Sequence, residues 1–265
     1  MKKYQTLKTP TGVECVLFPM LYMRITQGIN GKYSHKGDMA LDLGGKDTGI
    51  DPIYMPCTMI CKWKDPKIGA VLYESKNKVH MADGTEDYIH MLTIHDNKIS
   101  DIALGKTFKQ GVETGDEGTA GNATGNHVHL VFGKGKYTGG YPMKKNSYGT
   151  WVLPKQLDPR NVMFINGTTV LDDDNYNFKT YVAPYKEKGK AQALENGIRI
   201  RNAANLKTTS DTGLRLNKGD IITYVDVVQA EGWYFAKYKN AAGKYRYAAL
   251  CKINHTCKYW KQIEK

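Results

Sequence analysis

The amino-acid sequence predicts a mostly β protein, built from short strands joined by turns. The chain has 265 residues, of which 41% are hydrophobic and 24% are charged, as in ordinary globular proteins. It contains 27 Gly and 18 Tyr but only 6 Phe. Short apolar runs such as 70–75 ("AVLYES") and 127–132 ("HVHLVF") alternate with turn signals such as Asp83-Gly84. Strands and turns account for this pattern better than a helical bundle does.

The pattern divides into a large domain, a linker and a small domain. Residues 1–166 are predicted to form one antiparallel β-rich domain. Residues 167–195 contain an acidic triplet, a proline and a charged run, and this composition suits a linker. Residues 196–265 combine strand-like alternation in "IRIR" with the turn "LNKGD" and two later apolar runs. These features predict a small barrel of about five strands.

The charge of the chain predicts a negatively charged partner. The formal net charge is +12, and residues 196–265 hold 13 Lys and Arg against 5 Asp and Glu, which places +8 of that charge in the small domain. Such a surface attracts nucleic acid, an anionic membrane surface or a wall rich in anionic polymer. No zinc-finger spacing, aromatic ribonucleoprotein motif or basic helix indicates nucleic acid, so we expect no nucleic-acid partner.

The cysteines and the N-terminal stretch indicate the compartment in which the chain is made. The five cysteines form an odd set without a typical disulfide pattern, so we expect buried free thiols: Cys15, Cys57, Cys61, Cys251 and Cys257. The N-terminal lysines are followed by Lys8, Pro10 and Glu14 where a signal peptide would be apolar. We therefore expect no signal peptide, no membrane insertion and synthesis in a reducing cytosol.

Two histidines stand one residue apart after a glycine-rich loop, in "GTAGNATGNHVHLVF" (118–132). Side chains alternate between the faces of a strand, so His127 and His129 project from the same side and can both reach one small ion or one bound water. The alternative is a pair of surface histidines on a half-exposed strand.

The segment "GKYSHKGDMALDLGGKD" offers partners for such an ion, because a catalytic zinc takes three protein ligands and leaves a fourth position for water. Its candidates are His35, Asp38 and Asp42. Asp42 lies among apolar residues in a strand-like run, where an unpaired carboxylate is costly unless it binds a cation or a donor. Asp38 stands beside Gly37 in a predicted turn, so we expect a solvated loop residue.

A further histidine comes from "DYIHMLTIHDNKISDIALGKTFKQG", which contains His90 and His95. These two lie five residues apart and project from opposite faces of a regular strand. One of them can face the site, and the other is then a surface or packing residue.

In combination these segments resemble the lysostaphin-type zinc endopeptidases, which cut peptide bonds in bacterial peptidoglycan. The matching pieces are "SHKGDMALD", a histidine near the end of a strand, "LGKTFKQG", which is similar to the family's Val-Gly-x-x-Val-x-x-Gly stretch, and "GTAGNATGNHVHL", which is similar to its Gly-x-Thr-Gly-x-Ser-Thr-Gly-x-His-Leu-His signature. The resemblance covers residues 34–132. It implies an antiparallel β-sheet metallopeptidase domain and one Zn²⁺ per chain.

The resemblance also implies which residues hold the zinc. The family's ligands fall on His35, Asp42 and His129 of this chain. The commoner family spacing is His-x-x-x-Asp, and Met39 stands at that offset here, so Asp38 is kept as the reserve carboxylate.

For catalysis, the resemblance assigns His127 and one further histidine. Of the two candidates, His95 rather than His90 has the family's distance to the glycine of "LGK". Zinc would activate a bound water as the nucleophile, and no covalent intermediate is needed.

The small domain resembles the bacterial SH3-like cell-wall-binding domains through "IRIRNAAN", "LNKGD", "GWY" and "GKYRYAAL". A groove for wall peptide could be lined by its aromatic residues, namely Tyr224, Trp233, Tyr234, Tyr245 and Tyr247. Aromatic residues in a small barrel can also be core, and the domain can be an accessory without a ligand; both alternatives stay open.

The two resemblances together suggest a bacteriophage endolysin, made in the host cytoplasm and acting at the bacterial cell wall. The expected partners are peptidoglycan and anionic wall polymers, and a monomer is expected. One alternative is a non-catalytic wall-binding protein on a peptidase-like scaffold. Another is a polyanion-binding protein with incidental histidines, which leaves Asp42 and the glycine-rich loop unexplained.

Overall fold

The computed structural model describes residues 5–9, 12–181, 188–252 and 259–263. The chain divides into two units, of which unit 1 comprises Met1–Leu7 and Val13–Tyr181, and unit 2 comprises Lys8–Gly12 and Val182–Lys265. In both units the regular secondary structure is almost wholly β-strand, and nearly all neighbouring strands are antiparallel. The mostly β fold class that the sequence predicts is therefore confirmed. Across the described ranges, no helix is long and apolar enough to span a membrane.

Unit 1 contains fifteen strands and one short helix in its described residues. The strands are β1 (Tyr22–Gln27), β2 (Leu41–Leu43), β3 (Pro52–Tyr54), β4 (Met59–Asp65), β5 (Ala70–Ser75), β6 (Val79–His80), β7 (Glu86–Asp87), β8 (Ile89–Ile94), β9 (Thr107–Phe108), β10 (Glu113–Asp116), β11 (Val128–Lys134), β12 (Lys144–Lys145), β13 (Trp151–Val152), β14 (Gln156–Leu157) and β15 (Thr169–Asp172). The helix, α1 (Pro159–Val162), begins at a proline after the capping Asp158.

The main sheet of unit 1 has the strand order β15-β1-β2-β11-β8-β5-β4-β9, and β14 also pairs with β11. It is buried on both faces. Alternate residues of β11 enter different apolar clusters, so that Leu130 packs on one face with Met91, and Val131 packs on the other with Leu92. Because β2 and β8 flank β11, side chains from these three strands can meet over one face of the sheet.

Unit 2 forms a seven-stranded antiparallel sheet within its described residues. Its strands are β16 (Gly189–Ala193), β17 (Ile198–Arg201), β18 (Asp211–Leu216), β19 (Ile221–Ala230), β20 (Trp233–Lys239), β21 (Tyr245–Lys252) and β22 (Trp260–Ile263), with a single 3₁₀ turn at Thr208–Ser210. The strand order is β18-β17-β21-β20-β19-β16-β22. The sheet encloses an apolar core that includes Tyr224, Leu250 and Trp260.

The segment that the sequence predicts as a linker, 167–195, contains two strands. β15 pairs in parallel with β1 at the edge of the main sheet, although all four of its residues are exposed. β16 pairs with both β19 and β22 in unit 2. Polar composition does not prevent either pairing, because the ladder bonds are made by the backbone.

The cysteine prediction is correct for three residues and wrong for one. Cys15, Cys57 and Cys61 are buried free thiols. Cys251 is disulfide-bonded, and Cys257 lies outside the described residues. Disulfide formation requires the close approach of two Cα atoms in the fold, which neither the number nor the spacing of cysteines reveals.

Glu117 is a buried carboxyl group that holds the loop after β2. Its Oε1 accepts a hydrogen bond from the backbone N–H of Gly45 at 2.5 Å, and its Oε2 accepts one from that of Asp51 at 3.0 Å. Burial raises the pKa of Glu117 to about 7, and the carboxylates of Asp51 and Asp47 act in the same direction. The folded chain therefore binds this proton more tightly than the unfolded chain does.

We expect Glu117 to make the fold less stable as the pH rises. Its stabilising contribution is present in full below the unfolded-state pKa of 4.5 and is lost as the pH passes through about 7. The side chain of Glu117→Gln is neutral throughout this range. The melting temperature of the variant, measured by circular dichroism, should therefore rise relative to that of the wild type between pH 5 and pH 7.5. A melting-temperature difference that stays constant with pH would contradict this assignment.

Candidate metal centre

Three side chains direct one atom each to a common point on the main sheet. Asp42 on β2 and His129 on β11 are register partners, and His35 reaches them from the loop before β2. His35 Nε2, His129 Nδ1 and Asp42 Oδ1 lie 3.1 Å from one another in each of the three pairings. The structure thus brings together the three residues that the sequence assigns as zinc ligands.

Hydrogen bonds to other groups fix which atoms face this point. His35 Nδ1 lies 2.9 Å from the carbonyl oxygen of Gly28, and because a carbonyl only accepts, the ring carries its proton on Nδ1. In the neutral ring, Nε2 therefore presents a lone pair. Gln27 Nε2 donates to Asp42 Oδ2 at 2.9 Å, which leaves Asp42 Oδ1 directed at the two histidines.

Gln27 is a functional residue that sequence reasoning missed. Its Oε1 accepts hydrogen bonds from the backbone N–H groups of Tyr33 and Ser34, at 3.0 and 3.3 Å, so its amide can point only its nitrogen at Asp42. Gln27 is the β1 register partner of Asp42. Nothing in the sequence indicates this pairing, because it depends on how β1 and β2 are aligned.

The geometry of the three atoms fits a small divalent cation. Zinc with bonds of about 2.0–2.2 Å in a tetrahedral arrangement has ligands about 3.3–3.5 Å apart, close to the 3.1 Å separations here. Two imidazoles and one carboxylate also leave a fourth position open. Burial alone would raise the pKa of Asp42, but when the two rings hold protons in place of a cation, hydrogen bonds from His129 and His35 outweigh burial and hold that pKa well below its usual range. The cluster is therefore built to attract positive charge.

Asp38 is not the solvated loop residue that the sequence predicts. It is 1% exposed, and its Oδ1 accepts hydrogen bonds from the backbone N–H of Ala40 and from Gln156. Its Oδ2 lies 3.9 Å from Nε2 of His129, on the side of that ring away from the cluster. The correction follows from tertiary packing, because β14 brings Gln156 over a loop that looks exposed in the sequence.

A second pair of histidines lies beside the cluster. The ring centroids of His95 and His127 are 4.5 Å apart, and that of His95 is 6.4 Å from His129. His95 Nδ1 donates to the carbonyl of Ala120 and His127 Nδ1 to that of Gly125, both at 2.8 Å. In the neutral rings, Nε2 is therefore an acceptor in both residues. Burial lowers the pKa of His95, which favours the neutral form.

His95 lines a groove beside the cluster and His90 does not, as the sequence predicts. The reason is not the strand alternation on which that prediction rests. His90 is buried within β8, with its Nδ1 donating to the carbonyl of Gly135 at 3.0 Å and its ring against Gly133. β8 ends at Ile94, and His95 follows in the left-handed region with φ of 84°. The backbone turn, rather than strand alternation, directs His95 to the site.

This strained backbone at His95 is held from both sides. Its N–H donates to the carbonyl of Ile68 at 3.1 Å, and its carbonyl accepts from the N–H of Ala120 at 3.0 Å. A Cβ atom on Gly118 would stand 2.2 Å from the His95 carbonyl oxygen. The glycine-rich loop is thus needed for the close approach of two backbone segments that position His95.

Asp42, His95, His127 and His129 open into a groove of about 990 Å³. Its lining includes His95, His127 and His129, together with residues 122–124 of the glycine-rich loop. The lining also includes Tyr141, Tyr148 and Trp151, which sequence reasoning missed. These three come from a short hairpin segment whose sequence shows no regular pattern that would single them out.

The aromatic residues of unit 2 that were predicted to line a groove differ in exposure. Tyr224 and Tyr234 are 1% and 4% exposed and belong to the core, so their assignment to a binding surface is corrected. Tyr247 is half-buried, and Tyr245 is exposed. Trp233 lines a cleft of about 400 Å³, together with Ile198, Arg199, Arg201, Leu206 and Tyr259.

Comparison with known proteins gives the following similarities. Over 178 residues the chain is 34% identical to "Morphogenesis protein 1" of Bacillus phage B103, covering 67% of this chain and 47% of that protein. The chain thus spans about half the length of this curated relative. No protein-family model matches.

Among solved structures, the chain resembles the antimicrobial peptidase lysostaphin from Staphylococcus simulans at 14% identity, with 92% of this chain and 95% of that chain covered and a TM-score of 0.32. It also resembles a zinc-containing peptidase from Vibrio cholerae at 19% identity, with 48% and 42% covered and a TM-score of 0.31.

We expect Gly118→Ala to destabilise the protein and displace His95. The new methyl group would overlap the His95 carbonyl, and overpacking of this kind costs about 1–3 kcal/mol. Gly125→Ala in the same loop is the matched control, because a Cβ there meets nothing within 4 Å. Thermal unfolding and the imidazole NMR resonances of His95 measure the two effects. Equal melting temperatures and unchanged resonances in both variants would contradict the proposed close approach.

Proposed function

We propose that this chain is a zinc-dependent endopeptidase that hydrolyses peptide bonds of bacterial peptidoglycan. The observation that carries the proposal is the convergence of His35, Asp42 and His129 on one point, beside the pair formed by His95 and His127. Three directed acceptors with an open fourth position are typical of a catalytic rather than a structural zinc site. The lysostaphin-type motifs of residues 34–132 support peptidoglycan as the substrate.

The metal and the histidine pair have separate roles in the proposed mechanism. When bound, zinc lowers the pKa of its water from about 15.7 towards 7 and polarises the scissile carbonyl. His95, which is neutral at pH 7 because burial lowers its pKa, accepts the proton of the attacking water at Nε2. The protonated ring then donates to the departing amine. No covalent intermediate with the protein forms.

His127 lies next to His95 and completes this arrangement. Its ring is fixed by the hydrogen bond to Gly125, and its Nε2 lies 3.8 Å from Asp42 Oδ1. From this position it can hold the attacking water in line, or stabilise developing negative charge once protonated. The small side chains at 122–124 in the loop beside it leave room for the backbone of a peptide substrate.

We propose synthesis in a bacterial host cytoplasm and action at the cell wall, in the service of a bacteriophage. The endolysin role rests on the paired wall-cleaving and wall-binding units. A second candidate is a wall hydrolase that takes part in virion assembly, which the name of the Bacillus phage B103 relative favours. Mass spectrometry of purified virions distinguishes the two, because an endolysin is free in the lysate and an assembly protein is retained in the particle.

A non-catalytic wall-binding protein remains the alternative from another class. It predicts that the purified chain binds peptidoglycan without releasing new amino termini. The proposed peptidase predicts new amino termini whose appearance depends on zinc.

We expect the protein to bind about one Zn²⁺ per chain and to lose it when a ligand is removed. Asp42→Ala and His129→Ala each take away one of three converging acceptors, so both should lose zinc while the fold is retained. His90→Ala is the control, because this histidine is buried elsewhere on β8. Metal analysis after dialysis measures the content. Full occupancy in both ligand variants would refute the assignment.

We expect His95→Ala to keep its zinc and lose most of its activity. A group that moves protons in the transition state typically contributes about 10²–10⁴-fold. Hydrolysis of purified peptidoglycan, followed by product mass spectrometry, should therefore fall by that factor, whereas His90→Ala should stay near the wild type. If His90→Ala were the inactive variant and His95→Ala the active one, the assignment would be reversed.

We propose that unit 2 anchors the enzyme on the wall, through its basic surface and the cleft beside Trp233. Electrostatic attraction weakens as the Debye length shrinks from about 10 Å at 0.1 M salt, whereas recognition in a cleft persists. Pelleting of the full chain with purified walls should therefore fall partly with salt. Trp233→Ala should remove the salt-resistant part, and Tyr245→Ala, an exposed tyrosine away from the cleft, should not. Equal pelleting of all three proteins at high salt would contradict the role of the cleft.

A further inference from the structure

One side of the groove exposes three large aromatic side chains, which we call the aromatic rim: Tyr141, Tyr148 and Trp151. They are 54%, 61% and 51% exposed. Soluble proteins rarely leave adjacent aromatic faces in water unless the surface binds something. All three line the same groove as His95, His127 and His129, but the proposed chemistry of peptide hydrolysis uses none of them.

The rim is fixed relative to the metal centre. Asn146, at the turn between β12 and β13, donates through Nδ2 to the carbonyl of Lys36 at 2.9 Å, in the loop that carries His35. Its Oδ1 accepts from the backbone N–H groups of Tyr148 and Thr150, at 2.9 and 3.1 Å. One side chain therefore ties the hairpin to the ligand loop, and the rim is organised before any substrate binds.

Ring contacts orient two of the three aromatic groups. Tyr141 makes edge contacts with Trp63, at 5.6 Å between centroids, and with Trp151, at 5.7 Å. Trp63 packs against the apolar cluster that includes Val131, on the same face of the sheet as His129. The rim thus presents firm, flat surfaces to the groove.

Two lysines accompany the rim. Lys36 lies over the Tyr148 ring at 4.7 Å, and Lys145 over the Trp151 ring at 5.5 Å. Among the residues that the structure describes, the lysines paired with carboxylates are Lys62 and Lys237. The positive charges of the rim are therefore not neutralised by neighbouring acidic side chains, and they are available to an acidic ligand.

We propose that the aromatic rim binds the glycan strand to which the substrate peptide is attached. A pyranose ring has an apolar face of C–H groups that stacks on an aromatic ring, and muramic acid units without a stem peptide carry a free carboxylate for a lysine. A polymer of glycerol phosphate would satisfy the lysines but has no ring for the aromatic faces. The groove, at about 990 Å³, lies at the upper end of ligand sites and holds more than the residues that flank one peptide bond.

This inference rests on the proposed function for the identity of the substrate, but its test does not require hydrolysis. Binding of a peptide-free hexasaccharide of alternating N-acetylglucosamine and N-acetylmuramic acid to the full chain is measured by calorimetry. We expect Trp151→Ala and the double variant Lys36→Ala/Lys145→Ala each to weaken binding at least tenfold. Trp151→Phe keeps an aromatic face and should bind within about threefold of the wild type.

The control is Lys136→Ala, which removes an exposed lysine that lies 4.3 Å over the ring of Tyr88, away from the groove. It should leave glycan binding unchanged. The neutral hexamer of N-acetylglucosamine should bind more weakly than the acidic hexasaccharide, and the lysine substitutions should not affect it. Circular dichroism establishes that each variant is folded.

The inference is overturned if the wild type does not bind the hexasaccharide at millimolar concentration, if the rim variants bind as the wild type does, or if poly(glycerol phosphate) binds the rim more tightly than the glycan. Failure of the proposed function gives a different result. A chain that hydrolyses no peptidoglycan but binds the glycan through Trp151 would leave the inference standing. A chain that hydrolyses peptide bonds, with glycan binding unaffected by the rim, would remove the inference alone.

Discussion

The convergence of three electron-pair acceptors on one point is the constraint on which the rest of the site depends. His35 Nε2, Asp42 Oδ1 and His129 Nδ1 lie 3.1 Å apart, and three such atoms repel one another unless a cation or proton stands between them. Two further hydrogen bonds prevent these acceptors from turning away. Gln27, on the neighbouring strand, donates to Asp42, and His35 donates to the carbonyl of Gly28.

The same constraint explains the arrangement of the strands around the site. β2 and β11 must be neighbours in a fixed register, because a shift of one residue would turn Asp42 and His129 to opposite faces. β8 must end at Ile94, so that His95 can leave the strand through a strained backbone and reach His127. The glycine-rich loop permits that strain by its close contact at Gly118. Strand order, strand length and loop composition therefore serve one group of side chains.

The sequence predicts those parts of the site that depend on local periodicity. His127 and His129 lie on one face because side chains of a strand alternate, and Asp42 is recognisable as a costly carboxylate in an apolar run. The roles of Gln27, Asp38 and the aromatic rim depend on which distant segments meet, and one sequence does not reveal that. For the same reason Tyr224 and Tyr234 cannot be told from groove residues, since an aromatic side chain suits both a barrel core and a binding surface.

X-ray absorption at the zinc edge of the metal-loaded protein tests the central claim most directly, because it reports the ligands without reference to activity. The account predicts two imidazole nitrogens at about 2.0–2.1 Å, one carboxylate oxygen at about 2.0–2.2 Å and one water, with four-coordinate geometry. The described residues include the free thiols Cys15, Cys57 and Cys61, and zinc bound to a thiol would give a different spectrum. A sulfur ligand at about 2.3 Å, or a spectrum without two imidazoles, would contradict the account.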